Sequence, residues 1–433
     1  MKTRDSASVR SRSRRGRRQD RGFTLVELLI AVTAGLLVSG AAFLLARNAT
    51  RFFQHEARIS SAQLSVVMGM ERLLADIDRA AFLSTPNIHT NPKRCPQNVG
   101  VPNAAQGMTR LAGVVLENGG SIYGANPLAQ SVANGMSPDR ITIGGSFDNN
   151  EAFPVSNVAP GAGGNFTIYL QREAHEMRRA LAAGKDLAKS FRAGRVLRFV
   201  DASAAKEYYG IISGFDPLNM AVQVAASPLM PNKLGVQTCG LGLGSDTGGV
   251  VNPIARVRYE IRSLANHPTY KNLVAAVSTE ASGDAGRSEL VRVELDANDG
   301  EMPDSLELVA EYAVDLKFGL TVFAQGTIPP SELSACATLP GTDVYTCPIP
   351  MPPQVYAAVA GPVTGGARPE LIRSIQVRLA TRARAPDRDA DLGAGPDGRK
   401  YRFKIDLPGT PVPKFARMRT IYAEKYLRNQ ELL

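Results

Sequence analysis

The longest apolar run of the chain lies near its N-terminus. Residues 23–46 contain one charged side chain, Glu27, and the basic residues Arg47 and Arg51 follow the run. A helix rises about 1.5 Å per residue, so a run of this length can cross a hydrocarbon core of about 30 Å. The chain has no second run of this kind. The pattern therefore predicts one membrane-spanning helix at residues 23–46.

The helical pattern continues beyond this run as an amphipathic segment at residues 47–85. Apolar side chains recur there at intervals of three, four or seven residues, which is the spacing of one helix face. They are Ile59, Val66, Met70, Leu73, Ile77 and Ala81. No proline interrupts the chain before Pro86, which acts as a stop signal. We therefore expect an unbroken helix from Phe23 to about Leu83, with its second half packed under a globular head.

Residues 86–433, called the head below, show the two-residue alternation of strands with one polar face. The clearest alternation lies at residues 256–262, 375–384 and 401–407. Further candidate strands are 140–144, 166–171, 195–200, 208–214, 219–225, 289–295 and 312–323. The predicted fold class is α+β, with a long N-terminal helix packed on a large antiparallel β-rich head. The arginines on the polar faces are expected to form a solvated surface.

Segments rich in Gly, Pro, Ser and Asn separate these strands and predict loops. They are residues 86–107, 117–139, 144–165, 226–253, 325–370 and 385–400. Within the head, residues 173–190 form the one helical candidate, with Met177, Leu181 and Leu187 at its apolar positions.

The basic charge of the chain is concentrated at its start. The formal net charge is +10, and residues 1–21 hold nine basic and two acidic side chains. The remainder is nearly neutral, which argues against nucleic acid as a partner. The positive-inside rule places residues 1–22 in the cytoplasm and the chain after about residue 47 on the other side of the membrane.

Glu27 is unusual within an apolar helix. A carboxylate in lipid costs about 2.5–3.5 kcal/mol and is normally kept with a partner cation, and the span contains none. A cleaved secretory signal has a shorter apolar core, and a plain anchor leaves Glu27 unexplained. Cutting the chain after Gly22 would create an α-amino group on Phe23, four residues before Glu27. That amine could pair with Glu27 of an adjacent copy or a related subunit.

Residues 21–29 read RGFTLVELL, which resembles the type IV prepilin cleavage and methylation motif. The resemblance implies that prepilin peptidase removes leader residues 1–22 between Gly22 and Phe23 and N-methylates Phe23. It also implies that Glu27 recruits the subunit into a filament core formed by residues 23–46. The implied partners are other minor and major pilins, the inner membrane and the pilus assembly platform. The head would be periplasmic before assembly and would then lie on the pilus at the cell surface.

A second resemblance lies at residues 70–80, which read MERLLADIDRA. This segment resembles the end of the long helix in PilW-type minor pilins and in J-type pseudopilins of type II secretion. Three interpretations follow. The first is a minor pilin that primes assembly of a type IV pilus for adhesion and twitching motility, at or near its tip. The second is a J-like pseudopilin, and the third is a pilus-tip adhesin head.

The four cysteines, Cys95, Cys239, Cys336 and Cys347, all follow the predicted span. They allow three pairings, and an oxidising periplasm favours disulfides. We expect Cys336–Cys347 together with Cys95–Cys239. Zinc is not expected, because the chain has no C-x-x-C and its histidines are scattered.

Other candidate motifs are incomplete, so the sequence predicts neither an enzyme nor a cofactor. After His175 and Glu176, Arg179 stands where a zincin has its second histidine. The glycine-rich residues 240–244 lack the following Lys-Ser/Thr of a phosphate loop. Residues 296–301 resemble a calcium loop, but a polar turn between strands is the favoured interpretation.

Overall fold

The computed structural model describes most of the chain from Thr24 onward. The described residues are 24–95, 106–119, 129–233, 239–241, 248–265, 267–274, 287–324, 326–386, 390–396, 398–405 and 413–430. The chain divides into two compact units, Met1–Ala57 and Arg58–Leu433.

The first long element is helix α1, Leu25–Ile77. Its segment Leu25–Gln54 has a mean hydropathy of 2.4 over its most apolar window, and no residue of that window is buried. Length and composition thus make this segment a candidate membrane span. The apolar helix predicted from the sequence is confirmed, while its expected first residue, Phe23, lies outside the described residues.

The C-terminal end of α1 corrects the sequence prediction, which continued the helix to about Leu83. The helix ends at Ile77, and Ala81 has a φ of 59°. The Ala81 N–H donates to the Gly144 carbonyl at 2.8 Å instead of to a helical carbonyl. A Cβ at Gly145 would lie 2.4 Å from the Arg79 carbonyl oxygen. Glycine at this position therefore lets the turn pack directly on a strand, and this contact ends the helix.

Five shorter helices occur among the described residues: α2 (Gln106–Thr109), α3 (Ala129–Ala133), α4 (His175–Ala182), α5 (Leu187–Ser190) and α6 (Pro353–Val355). A π-helical turn, Tyr356–Ala360, follows α6. The single helix predicted at residues 173–190 is wrong, because the chain turns at Gly184 with a φ of 69°. Asp186 then caps α5 by accepting the Ala188 N–H at 3.1 Å.

Ten of the described strands belong to a first, antiparallel set. They are β1 (Val114–Glu117), β2 (Arg140–Gly145), β3 (Phe153–Pro160), β4 (Phe166–Leu170), β5 (Val196–Val200), β6 (Glu207–Asp216), β7 (Ala221–Ala225), β8 (Val250–Arg262), β9 (Glu289–Leu295) and β10 (Glu307–Ala310). The long strand β8 pairs with two different groups of strands. Residues 250–254 pair with β5, and Val250 and Val251 also pair with β3. Residues 255–262 pair with β2 and β9.

This double pairing closes a six-stranded barrel in the order β3, β4, β7, β6, β5 and β8, called the barrel below. Its interior is a continuous apolar cluster that includes Phe166 and Phe199. Met177 of α4 and Phe191 after α5 belong to the same cluster. Closure leaves no free edge in this ring of strands. The rest of the set forms a sheet in the order β1, β2, β8, β9 and β10.

The second described sheet is also antiparallel. Its strands are β11 (Ala313–Phe323), β12 (Ala337–Thr338), β13 (Val344–Cys347), β14 (Ile372–Arg382), β15 (Arg402–Ile405) and β16 (Lys414–Tyr426). Their order is β12, β13, β11, β14, β16 and β15. One large core joins this sheet to β1, β2, β8 and β9 and to the last part of α1. Val66, Leu73 and Ile77 of α1 are fully buried in it, whereas the side chain of Ile59 is outside the described residues. The α+β class is confirmed.

Several predicted loops contain regular structure. β3 lies within predicted loop 144–165, and β12, β13 and α6 lie within predicted loop 325–370. β16 was assigned to no predicted element. β3 carries two prolines and an asparagine among its eight residues, so its sequence resembles a loop, and its pairing with β4 and β8 makes it a strand.

The prediction that the strand arginines form a solvated surface is wrong for three of them. Arg256, Arg378 and Arg382 are each at most 6% exposed. Arg378 donates to buried Asp315 at 3.0 Å. Arg382 lies over the Tyr312 ring, with its guanidinium carbon 5.1 Å from the ring centroid. These cations are part of the interior because the head supplies them with carboxylates and aromatic faces.

Candidate assembly site and the end of helix α1

The predicted assembly residue Glu27 lies in the first turn of α1. Leu25 is the first helical residue, and Thr24 precedes it as the N-cap. The Glu27 N–H donates to Thr24 Oγ1 at 3.3 Å, which satisfies one of the otherwise unpaired N–H groups of the first turn. The Thr-x-x-Glu spacing of a capping box identifies Thr24 from sequence. Thr24 was absent from the predicted site.

The surroundings of Glu27 are apolar. Leu25, Val26, Leu28 and Leu29 are each at least 59% exposed, and Glu27 is exposed among them. No cation pairs with Glu27 in the described part of the chain, which begins at Thr24. A helix N-terminus stabilises a carboxylate by about 0.3–1 kcal/mol, less than the about 2.5–3.5 kcal/mol that lipid burial costs. The helix dipole alone therefore does not offset the cost of placing this carboxylate in a membrane.

The remaining predicted processing residues, Gly22 and Phe23, lie outside the described residues. The structure therefore describes the carboxylate of the expected pair and not the amine.

A second carboxylate with charged partners lies at the other end of α1, where the helix joins the head. Asp76 is only 3% exposed. Its Oδ2 accepts hydrogen bonds from the Tyr259 hydroxyl at 2.7 Å and from Arg292 Nε at 2.6 Å. Its Oδ1 accepts one from Arg72 Nη1 at 3.2 Å. Arg72 also binds both carboxylate oxygens of Glu307, at 3.2 and 3.1 Å.

The charges of this network stabilise one another. Burial and the Asp76 charge both raise the pKa of the Tyr259 hydroxyl, which keeps its proton available for donation. Burial alone would lower the pKa of Arg292, but Asp76 and Tyr259 raise it above its ordinary value. The hydrogen bond to Glu307 is the largest of the effects that raise the pKa of Arg72. The network thus fixes the last turns of α1 to β8, β9 and β10, with the charges of Arg72 and Arg292 stabilised by their partners.

The sequence could not identify this network. Asp76 falls off the apolar stripe of α1, and Tyr259 and Arg292 lie 183 and 216 positions away from it. No local spacing relates residues that far apart.

The structure contains the two expected disulfides. Cys95 bonds to Cys239, and both belong to the apolar cluster inside the barrel. Cys336 bonds to Cys347 and fastens the start of the β12–β13 hairpin to its end. All four cysteines are buried.

The calcium-like segment, residues 296–301, is a polar turn. Asp296 Oδ1 accepts the N–H groups of Asn298 and Gly300, both at 2.8 Å. Asp299 and Glu301 form ion pairs with arginines. Among the residues that the structure describes, no group of three or more His, Cys, Asp or Glu side chains is arranged to hold a metal ion.

Comparison with known proteins gives one family match. Residues 17–43 match the model of the prokaryotic N-terminal methylation motif, which includes Gly22, Phe23, Glu27 and most of the apolar run. No curated protein and no solved structure matches the chain. The match supports a type IV pilin-like or pseudopilin protein, processed by prepilin peptidase and assembled with pilin-type partners. The exposed apolar segment Leu25–Gln54 is consistent with membrane anchoring.

Proposed function

We propose that this chain is a minor pilin, a non-enzymatic subunit that primes assembly of a type IV pilus and sits at or near its tip. The observation that carries the proposal is Glu27, which has no cation partner among the residues described from Thr24 onward, in the capped first turn of an exposed apolar helix within a matched methylation motif. Such a carboxylate needs a cation at its own depth. A neighbouring subunit with a processed N-terminus supplies one.

Processing would proceed at the junction of Gly22 and Phe23. Prepilin peptidase would remove residues 1–22 on the cytoplasmic side and methylate the Phe23 amine. Residues 23–46 would then form the span and filament core, residues 47–85 the amphipathic continuation, and residues 86–433 the periplasmic head. The amine of one subunit would meet Glu27 of another.

The size of the head favours a low-copy role. It contains a closed barrel in addition to two sheets that enclose the end of α1. A body of this bulk is difficult to repeat at every position of a thin filament, whereas one copy at a tip has open space around it.

A deletion strain tests the proposal. We expect loss of surface pili and of twitching motility, unchanged secretion of exoproteins, and a small share of this protein among the subunits of sheared wild-type pili. Complementation with the intact gene is the control. Quantitative mass spectrometry that found this chain to be the dominant pilus subunit would contradict the minor role.

A J-like pseudopilin is the second candidate, because the matched motif is common to pilins and pseudopilins. In that case the same deletion would abolish exoprotein secretion and leave surface pili intact. The two outcomes exclude each other, so one strain decides between the machines.

A further inference from the structure

The described sheets protect nearly all of their edges. The barrel is closed. The edge strand β1 packs in the same core as Tyr356 and Val359 of the π-helical turn, which lies beside it. The edge strand β10 has only four residues, and the N–H of Glu311 directly after it donates to Ser65 Oγ of α1 at 3.2 Å. The edge strand β12 has only two residues. Short, covered or closed edges are the means by which proteins prevent unwanted strand pairing.

One side of β16 is different. β14 pairs with residues 418–426 of this strand without a register shift. On the opposite side, β15 pairs only with residues 414–417. No described strand pairs with β16 on that side over residues 419–426, called the open edge below.

The backbone direction of the open edge follows from two hydrogen bonds. The Met418 N–H donates to the Tyr401 carbonyl at 3.0 Å on the β15 side, and the Leu427 N–H donates to the Arg373 carbonyl at 2.8 Å on the β14 side. Successive residues of a strand direct their N–H and C=O groups to opposite sides. The residues at even positions from Thr420 to Tyr426 therefore direct their N–H and C=O groups along the open edge, at the spacing that pairs with another strand.

The charges at the ends of the open edge indicate the chemistry of a partner. Arg419 and Arg428 are exposed, and neither forms an ion pair within the described part of the chain. Between them, Lys425 Nζ lies 2.9 Å from Asp78, and the exposed Glu424 carboxylate accepts the Ser374 hydroxyl at 2.5 Å and keeps its charge. The charged groups at the two ends of the open edge are therefore both cationic.

This charge distribution disfavours a second copy of the chain. Antiparallel pairing of two open edges would place Arg419 of one copy opposite Lys425, or beside Arg428, of the other. Like charges opposite one another destabilise a strand pair. Acidic side chains at the same positions of a different strand would form ion pairs instead.

We infer that the open edge of β16 binds an extended, acidic segment of a neighbouring pilin-type subunit by adding it to the second sheet as a further strand. This inference rests on the proposed function for the identity of the neighbour. Main-chain hydrogen bonds at the even positions from Thr420 to Tyr426 supply the binding, and Arg419 and Arg428 select for acidic side chains.

Site-specific photo-crosslinking in the full-length protein, in producing cells, tests this inference. A photoreactive phenylalanine analogue is placed at Tyr422 or at Tyr426, which are 43% and 68% exposed, and crosslinked peptides are mapped by mass spectrometry. We expect both positions to reach one acidic segment of another pilin-type chain. The attachment points should lie about four residues apart, because paired strands advance together.

Two kinds of variant test the geometry and the charge separately. Thr420→Pro removes an outward N–H, and Arg419→Glu with Arg428→Glu reverses the end charges. Each should lower the crosslink yield at least about tenfold. Thr420→Val keeps the N–H, and Lys233→Glu with Lys271→Glu makes the same change of net charge at two exposed lysines elsewhere in the head. Both controls should retain the yield.

The inference is overturned by crosslinks to a second copy, by attachment points in unrelated segments, by the absence of crosslinks, or by full yield in both the Thr420→Pro and the charge-reversal variants. Its failure is distinguishable from failure of the proposed function. A mature N-terminus at Phe23 with normal pilus assembly, but without these crosslinks, rejects the open-edge inference alone. A mature N-terminus elsewhere rejects the pilin assignment itself.

Discussion

The first turn of α1 and its last turn both place a carboxylate where it needs a cation, but they obtain it in different ways. Asp76 at the last turn has Arg72 and Arg292 within the same chain. Glu27 at the first turn has only the Thr24 cap among the described residues. Under the proposed function, Asp76 holds one subunit together, whereas Glu27 joins subunits. Substitutions at the two ends should therefore affect different measurements.

The largest effect is expected from blocking the cleavage that creates the amine. Gly22→Val places a branched side chain at the cleavage position and should abolish maturation, leaving Glu27 without its proposed partner. Intact-mass measurement of the membrane protein should show only the precursor. Gly16→Val, a matched change within the same leader, should leave the mature mass unchanged. A normal mature mass in the Gly22→Val protein would refute cleavage at this bond.

The second prediction concerns the carboxylate itself. Glu27→Gln keeps the size of the side chain and removes its charge, so the protein should insert as well or better but enter filaments at least about tenfold less. The measurement is the ratio of filament-associated to membrane protein. Thr24→Ala removes the cap, at a cost of about 1 kcal/mol to the helix, and should reduce incorporation much less. Equal losses in both variants would favour a capping role for Glu27 over a pairing role.

The two ends of α1 also differ in how far the sequence could predict them. Glu27 and its apolar surroundings lie within a few residues of one another, so composition and spacing were sufficient to identify the helix and its unusual charge. Strands with regular alternation, such as β14, were found for the same reason. These features are encoded by neighbouring residues.

The features that were missed depend on residues far apart in the chain. The end of α1 is set by the contact of Ala81 with Gly144. β3 becomes a strand through pairing that closes the barrel, and the open edge of β16 is defined by how short β15 is. The alternating sequence pattern placed Arg378 on the solvated face, because its buried partner Asp315 lies 63 positions earlier in the chain. A single sequence carries no local signal for such pairs.

The third prediction tests the internal pair at the last turn of α1. Asp76→Ala removes the nearest carboxylate from the largely buried guanidinium of Arg292, which keeps Glu307 at 3.8 Å. The loss should cost about 3 kcal/mol of folding stability. Asp76→Asn keeps hydrogen-bonding capacity and should cost less. The measurement is the urea midpoint of unfolding of the full-length protein in detergent, with susceptibility to proteolysis as the readout. Cleavage before Phe23 should remain normal in both variants, whereas a processing defect with unchanged stability would reverse the roles we give to the two ends.

The fourth prediction concerns the disulfides, both of which lie in the head, so that their loss should affect the stability of the head and not N-terminal processing. Replacing both cysteines of the shorter loop, as Cys336→Ala with Cys347→Ala, removes a link across 11 positions. The loss of stability should be about 3 kcal/mol by the loop-closure model, with N-terminal processing unaffected. The same urea measurement applies. Reductant should lower the wild-type midpoint and leave the double variant less affected, since that variant has one disulfide fewer.

The smallest effect is expected from a second internal carboxylate, Glu207, which has its partners within the head. Its oxygens accept hydrogen bonds from Arg198 and the Tyr209 hydroxyl, both at 2.5 Å, and from Asn91 at 2.9 Å. Burial alone would raise the pKa of Glu207, but these three donors lower it below its ordinary value of 4.5.

Because the folded-state pKa of Glu207 is below the unfolded one, the carboxylate stabilises the fold above the unfolded pKa, and this contribution is lost as the pH falls through the folded pKa. Glu207→Gln should therefore cost about 1–2 kcal/mol at neutral pH. The difference from wild type should persist to pH 5 and close only below pH 4.5. Urea midpoints across this range provide the measurement, with exposed Glu173→Gln as the control. A difference that instead grew on acidification would mean that Glu207 is held protonated. The contrast between paired carboxylates in the head and Glu27, which has no cation partner among the described residues, would then no longer hold.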